Sequence, residues 1–249
     1  MPNINLKISV ILISILIYSI KCYSQNEAKT HKVNKLGIFI QVPLFNYDTT
    51  LGNNGYISHS DSFNIISYKN LLIYEIPAIS IHENSDTIRY DTAYNSFAFK
   101  KEDTIIRKYK NLKDSIYTKL SISYLIKRLG ALRSYELSPS ITNAQLVSIT
   151  SDGRFDSIAT YIPNLVDPTF YDTAYFYFSK SVTTSAYSLS PNLDSISNLK
   201  LVQVRLLFLE RYSPEYKRIL PQNEYRFSIT PLEVTNPEEI ISFCTKIEK

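Results

Sequence analysis

Three histidines, His31, His59 and His82, are the first side chains to test for chemistry. None stands at ligand spacing from another histidine or a cysteine, so no metal site is expected. Ser58-His59-Ser60-Asp61 gathers a hydroxyl, an imidazole and a carboxylate in four residues. A catalytic triad is a spatial arrangement and sequence neighbours do not make one, so the segment reads as a polar loop. Asp91 and Asp172 could act as paired acids if two halves of the chain faced each other; strand-edge carboxylates are the simpler reading. Glu238-Glu239 suits a helix start, where acidic side chains meet the positive end of the dipole. There is no Gly-rich phosphate loop and no Gly-x-Ser-x-Gly. Cys244 reads as a small buried hydrophobe rather than a nucleophile. The expectation is a protein that is not an enzyme, with no catalytic, cofactor-binding or metal-binding residue and no cofactor.

A second pattern concerns modification. Nine of the eleven aspartates precede Ser or Thr, although those two residues make up only about a fifth of the chain. In all but the Asp61 case the third residue is Ile, Ala or Thr. This resembles the Asp-Ser/Thr-aliphatic acceptor motif for periplasmic O-glycosylation in one group of Gram-negative bacteria. The resemblance covers three residues at a time and implies acceptors at Thr49, Thr87, Thr92, Thr104, Ser115, Ser157, Thr173 and Ser195. The competing reading is local: a short polar side chain after or before a turn bonds nearby backbone N–H groups. No Asn-x-Ser/Thr sequon is present.

Two further features point to binding. Lys100, Lys101, Arg107, Lys108, Lys110 and Lys113 form a basic run, a solvated face by default and an anionic-glycan contact otherwise. Tyr90, Tyr94, Tyr171 and Tyr175 form a candidate ligand face, because tyrosine rings stack on sugars, although sheet packing is their commoner use.

Those tyrosines belong to a repeat. Tyr90-Asp91-Thr92-Ala93-Tyr94 returns as Tyr171-Asp172-Thr173-Ala174-Tyr175. Phe97 falls on Phe178, Asn111-Leu112 on Asn192-Leu193, Asp114-Ser115-Ile116 on Asp194-Ser195-Ile196, and Ser148-Ile149-Thr150 on Ser228-Ile229-Thr230. A steady offset over many blocks is the mark of a duplicated unit. The expected organisation is a signal peptide over 1–24, a leader and strands over 25–70, β repeats over 71–151 and 152–232, and a C-terminal helix over 233–249.

The opening residues read as a targeting segment. Lys7 precedes an apolar run from Ile8 to Ile20, and Cys22-Tyr23-Ser24 supplies small residues around a cleavage point. Cleavage after Ser24 leaves 25 basic and 23 acidic side chains and the single thiol of Cys244. An exported chain with one thiol has no internal disulfide and must rely on its core.

Low glycine, no tryptophan, 20 tyrosines and abundant isoleucine favour strands. In the repeats, Phe97, Phe99, Phe176 and Phe178 alternate with the Tyr-Thr-Tyr row, which places the phenylalanines on the core face. Lys119–Arg133 carries both helical and strand spacing; its twin, Val202–Phe208, alternates strictly, so both are expected as strands. Asn236, Pro237 and Glu239 make a helix start, followed by Ile240, Ile241, Cys244 and Ile247 as one apolar stripe. The fold expected is mainly β: two tandem antiparallel sandwich-like units sharing or abutting one core, with a short C-terminal helix. The function expected is a structural or binding role in the envelope of a Gram-negative bacterium, periplasmic or at the cell surface. A carbohydrate- or envelope-polymer-binding module and a hydrolase with dispersed acids are the alternatives. Partners would be an envelope glycan or another envelope protein. The modest charge gives no case for nucleic acid, and no transmembrane span is expected after cleavage.

Overall fold

A computed structural model describes residues 32–45, 56–84, 87–129, 137–164, 170–183, 186–213 and 217–248. Residues 1–31, which hold the segment expected to direct export, most of the expected leader and His31, lie outside them. The side chains of His59, His82, Tyr90, Asp91 and Thr87 are also outside the description, as is Thr49.

Alternating β-branched and aromatic residues build the strands β1 (Asn34–Phe45), β2 (Tyr56–Tyr68), β3 (Leu71–Asn84), β4 (Thr87–Lys100), β5 (Ile105–Tyr109) and β6 (Thr118–Ser121). They continue in β7 (Ala144–Thr150), β8 (Ser157–Pro163), β9 (Thr173–Ser179) and β10 (Lys200–Phe208). A small hairpin follows, β11 (Arg211–Ser213) with β12 (Arg218–Leu220), and then β13 (Asn223–Leu232). Eleven of these form one antiparallel sheet in the order β6-β5-β4-β3-β2-β1-β13-β10-β9-β8-β7. The chain runs outward as a meander from β1 to β6. It resumes at the opposite edge with β7 and closes with β13 beside β1. Apart from Lys32, the described residues belong to one compact unit, Val33–Lys249.

The two similar segments both lie in this one large sheet, in unlike pairings, and not in two separate sandwich-like units. Lys119 and Leu120 pair with β5, whereas Lys200 and Leu201 pair directly with Ser179 and Phe178 of β9. Tyr94 lies opposite Pro77, and Tyr175 lies between Thr160 and Arg205.

Period-two alternation gives the sheet two apolar faces over β2–β5. On one, Phe63, Ile65, Leu72, Tyr74, Phe97, Phe99 and Ile106 join Phe176, Val204, Leu206, Phe227 and Ile229 of the other meander in a single cluster. Phe97, Phe99, Phe176 and Phe178 are all buried, as the Phe row predicts. Removing such a ring from water contributes about 1.5–3 kcal/mol each. On the opposite face, Ile66, Leu71, Ile73, Ala98 and Tyr109 pack against the C-terminal helix.

Among the described residues three α-helices accompany the sheet. The first, α1 (Ile122–Leu129), replaces the middle of the strand expected over Lys119–Arg133: Lys119–Ser121 is strand in β6, the chain then coils, and residues 130–133 lie outside the described residues. The Ser121 hydroxyl accepts from the Ser123 N–H at 3.1 Å, and Leu125 is fully buried against the main cluster. The helical spacing of Leu125 and Leu129 outweighed the analogy with the twin. The second, α2 (Pro191–Ser197), starts at Ser190, whose hydroxyl accepts from Leu193 N at 3.2 Å, and stops at Asn198 in the left-handed conformation at φ 53°. The third, α3 (Pro237–Glu248), begins where its cap residues place it: the Asn236 carbonyl accepts from Ile240 N. Its buried stripe is Ile240, Phe243, Cys244 and Ile247, with Ile241 half-buried. No helix among the described residues is long and apolar enough to cross a membrane.

The prolines Pro43 and Pro77 lie within strands. Pro43 sits opposite Ser58 within β1–β2, and Pro77 opposite Tyr94 within β3–β4. The β2 ladder on β3 ends at Glu75, so beyond it β3 is an edge that tolerates a residue with no N–H to give. The Ser58–Asp61 segment is likewise strand, paired to Ile40–Pro43, rather than loop.

Burial pushes the Cys244 thiol up to about 12, with Glu248 adding to the effect. At pH 8 that makes the thiolate about a thousandfold scarcer than in an ordinary cysteine. Native protein is therefore expected to leave Cys244 unlabelled by Ellman's reagent, and denaturant to expose it within the mixing time. Fast native labelling, mapped to Cys244 by mass spectrometry, would show that α3 does not stay docked.

Candidate functional site

The face that α3 covers over β2–β5 continues uncovered by a helix over β1, β13, β10 and β9. Strand alternation sends Val204, Leu206, Phe227 and Ile229 inward, so Gln203, Arg205, Arg226 and Ser228 point outward. Register then sets them side by side. One row across the strands reads Gln41, Arg226, Arg205, Tyr175, and the next reads Phe39, Ser228, Gln203, Tyr177.

Arg205 stands directly opposite Arg226, a like-charge pair that by itself destabilises a sheet. Glu224 resolves it. Its carboxylate accepts from Arg205 Nε at 2.9 Å and Nη2 at 2.6 Å, and from Arg226 Nε at 3.0 Å. The Arg205 hydrogen bonds, ahead of those from Arg226, hold the Glu224 carboxyl below the usual carboxylate range against the opposing effect of burial. The same contacts raise Arg205. Arg205 also donates to the Tyr177 hydroxyl at 3.3 Å and lies over the Tyr175 ring, 5.7 Å from its centroid.

A wall rises on one side. Asp152 accepts from the N–H groups of Arg154 and Phe155 at 3.1 and 2.9 Å, and Gly153 takes φ +74°, so the β7–β8 connection turns sharply. Phe155 then packs on Tyr177 with centroids 4.8 Å apart, and the Arg154 guanidinium lies over Phe155. The result is a cleft of about 350 Å³ with Gln203 and Ser228 in its floor and Phe39 at its far end. Three guanidinium groups, Arg154, Arg205 and Arg226, line the cleft, and Glu224 binds the last two. The arrangement can take an anion.

The residues singled out in the sequence are distributed otherwise. Tyr94 is 47% exposed on β4, while Tyr175 is half-buried on β9, with β3, β2, β1, β13 and β10 between their strands. Six strand spacings, about 29 Å measured along the sheet, separate the strands that carry Tyr94 and Tyr175. Tyr171 is buried and donates its hydroxyl to the Ser140 carbonyl; desolvation, with Tyr161 nearby, pushes it up to about 12. The basic run also divides: Arg107 and Lys108 are consecutive on β5 and so point to opposite faces. Arg107 donates to the Ile247 carbonyl at 3.0 Å, capping the C-terminal end of α3, and Lys108 lies over Phe97.

Four aspartates of the Asp-Ser/Thr pattern close strand connections with backbone N–H groups. Asp103 accepts from Lys100 N at 2.9 Å, Asp156 from Lys180 N at 2.7 Å, Asp172 from Leu209 N at 2.6 Å, and Asp194 from Leu201 N at 2.7 Å. Asp172 also binds Arg211. The local reading of the pattern thus has a physical basis at these four positions. Of the acceptors implied by the motif, Thr92, Thr104, Ser115 and Ser195 are exposed, and Ser157 and Thr173 are half-buried.

The cleft was hidden in sequence because its three arginines and its glutamate come from β10, β13 and a turn, and register cannot be read from one strand alone. The Glu224-x-Arg226 spacing, two charges on one strand face, was its only local signal. Among the described residues no cluster of three His, Cys, Asp or Glu side chains could hold a metal. Comparison with known proteins finds no matching family model, curated protein or solved structure.

Proposed function

We propose that the protein is an exported, non-enzymatic binding module of the bacterial envelope, and that its outer-face cleft takes an anionic ligand. The observation that carries the reading is the excess of guanidinium groups: Arg154, Arg205 and Arg226 line one cleft, and among the described residues Glu224 is the carboxylate paired with Arg205 and Arg226. A sheet face built for packing alone would not set two arginines opposite each other. A hydrolase using dispersed acids finds less support, because Asp103, Asp156, Asp172 and Asp194 are each committed to holding backbone amides. Export rests on the opening residues, and the repeated segment is read as a duplication whose copies have diverged in pairing.

The test is binding of dextran sulfate against neutral dextran. Replacing Arg154 and Arg226 together by alanine leaves the Arg205–Glu224 pair intact and is expected to weaken dextran sulfate binding at least about tenfold. The salt dependence of binding should fall with it. Equal binding by the variant and the parent would end the assignment of the cleft.

O-glycosylation belongs to the same proposal. A glycosylated Ser or Thr must be reachable, so protein taken from its native host is expected to carry glycan at one or more of Thr92, Thr104, Ser115 and Ser195 before Ser157 or Thr173. Intact mass, followed by peptide mapping, checks this. A mass equal to that of the unmodified chain starting at Gln25 would support export and remove the glycans.

A further inference from the structure

The cleft is longer than a simple anion needs. Phe39 sits on β1, and Phe155 sits over Tyr177 of β9. Their strands are three spacings apart, about 14 Å across the sheet. Between them the floor carries an amide and a hydroxyl, Gln203 and Ser228, which face each other in register. Flat apolar surfaces at both ends of a polar floor are what a pyranose chain meets well: ring faces take the aromatic walls and hydroxyls take the amide and hydroxyl.

The charges are placed to match. Arg205 gives Nε and Nη2 to the two oxygens of Glu224 and Nη1 to the Tyr177 hydroxyl. Arg226 shares a single oxygen of Glu224, and its side chain is 43% exposed. Arg154 is exposed and stacked on Phe155, at the wall. Arg226 and Arg154 therefore keep N–H donors that Glu224 does not take, while Arg205 beside them is committed to Glu224 and Tyr177. A planar fork favours a planar carboxylate.

From this arrangement, and resting on the anion reading above, we infer that the ligand is a linear glycan bearing carboxylated sugars. The chain runs across the strands from Phe39 to Phe155. A uronate carboxylate meets Arg226 and Arg154, and neighbouring hydroxyls meet Gln203 and Ser228. An extended pyranose chain advances by a step comparable to the strand spacing, so successive sugars fall over successive strands.

The experiment measures affinity of the full chain for oligogalacturonates of two to about six sugars by calorimetry. The same oligosaccharides with methyl-esterified carboxyls and inorganic sulfate are the comparisons. Acid oligomers are expected to bind at least about tenfold more tightly than the esters and than sulfate. Affinity should rise with length until the cleft is spanned. Arg226→Met should cost about tenfold against the acid oligomers, and Phe39→Ala about threefold against all oligomers. Esters binding as well as acids would overturn the carboxylate. Sulfate competing on equal terms would overturn the sugar while leaving an anion cleft. Failure of uronate, sulfate and dextran sulfate alike would remove both readings. The ligand comparisons use the unaltered protein, so a variant that does not fold leaves the outcome decided.

Discussion

Asp194→Ala is expected to lower the unfolding free energy by about 3 kcal/mol, toward the lower end of the range for breaking a buried ion pair. In a protein of this size that is a fall of about 6–12 °C in melting temperature. Three donors converge on the carboxylate: Lys200 Nζ at 2.7 Å, the Ser188 hydroxyl at 2.6 Å and Leu201 N at 2.7 Å. The Lys200 and Asp194 side chains are only 10% and 18% exposed, so water replaces the lost partner poorly. Asp194 lies on α2 and Lys200 and Leu201 on β10, so the carboxylate ties the helix to the strand that follows it. Lys200→Met in the Asp194→Ala background should recover part of the loss, because the stranded ammonium goes with it. Thermal melts of both single variants and the double variant check this. Additive losses across the cycle would mean that the two side chains do not act as a pair.

Asp194 also illustrates what could be read beforehand. It belongs to the second copy of the repeat, where its twin is Asp114. The alignment of the two segments was visible, and the Phe rows that alternation placed inward are inward. Cap chemistry placed α3 within a residue of its start, since Asn236, Pro237 and the acidic first turn are local signals. The same kind of signal, Ser190-Pro191 ahead and Asn198 behind, marks α2. Reliance on the twin misplaced α1. Similar segments need not share a pairing, because which strand lies alongside is decided by burial across the whole sheet. In the first meander β5 and β6 extend the edge, whereas in the second β10 is drawn against both β9 and β13. Register is the property least visible in one strand, and the cleft depends on it: shifting β10 by one residue against β13 would turn Arg205 into the core and dissolve the site.

Glu224→Gln is expected to change stability and binding in opposite directions. The substitution keeps the shape but removes the charge that separates Arg205 from Arg226. Both arginine side chains are more than a third exposed or close to it, at 35% and 43%, so solvent screening reduces the cost to about 1–2 kcal/mol. The pH dependence follows from the lowered Glu224 carboxyl. Its contribution is fully present above the ordinary carboxylate value of about 4.3 and is lost as pH falls through the lower folded value. The gap between parent and variant in chemical denaturation should therefore be widest at neutral pH and close toward acid. Anion affinity should move the other way. With the internal carboxylate gone, the cleft has three guanidinium groups and no competitor, and dextran sulfate should bind the variant several-fold more tightly, with a steeper salt dependence. Lower stability together with lower affinity would mean that Glu224 serves only to hold the sheet face in place. Higher affinity at lower stability is the signature of a carboxylate that occupies the position an external anion would take.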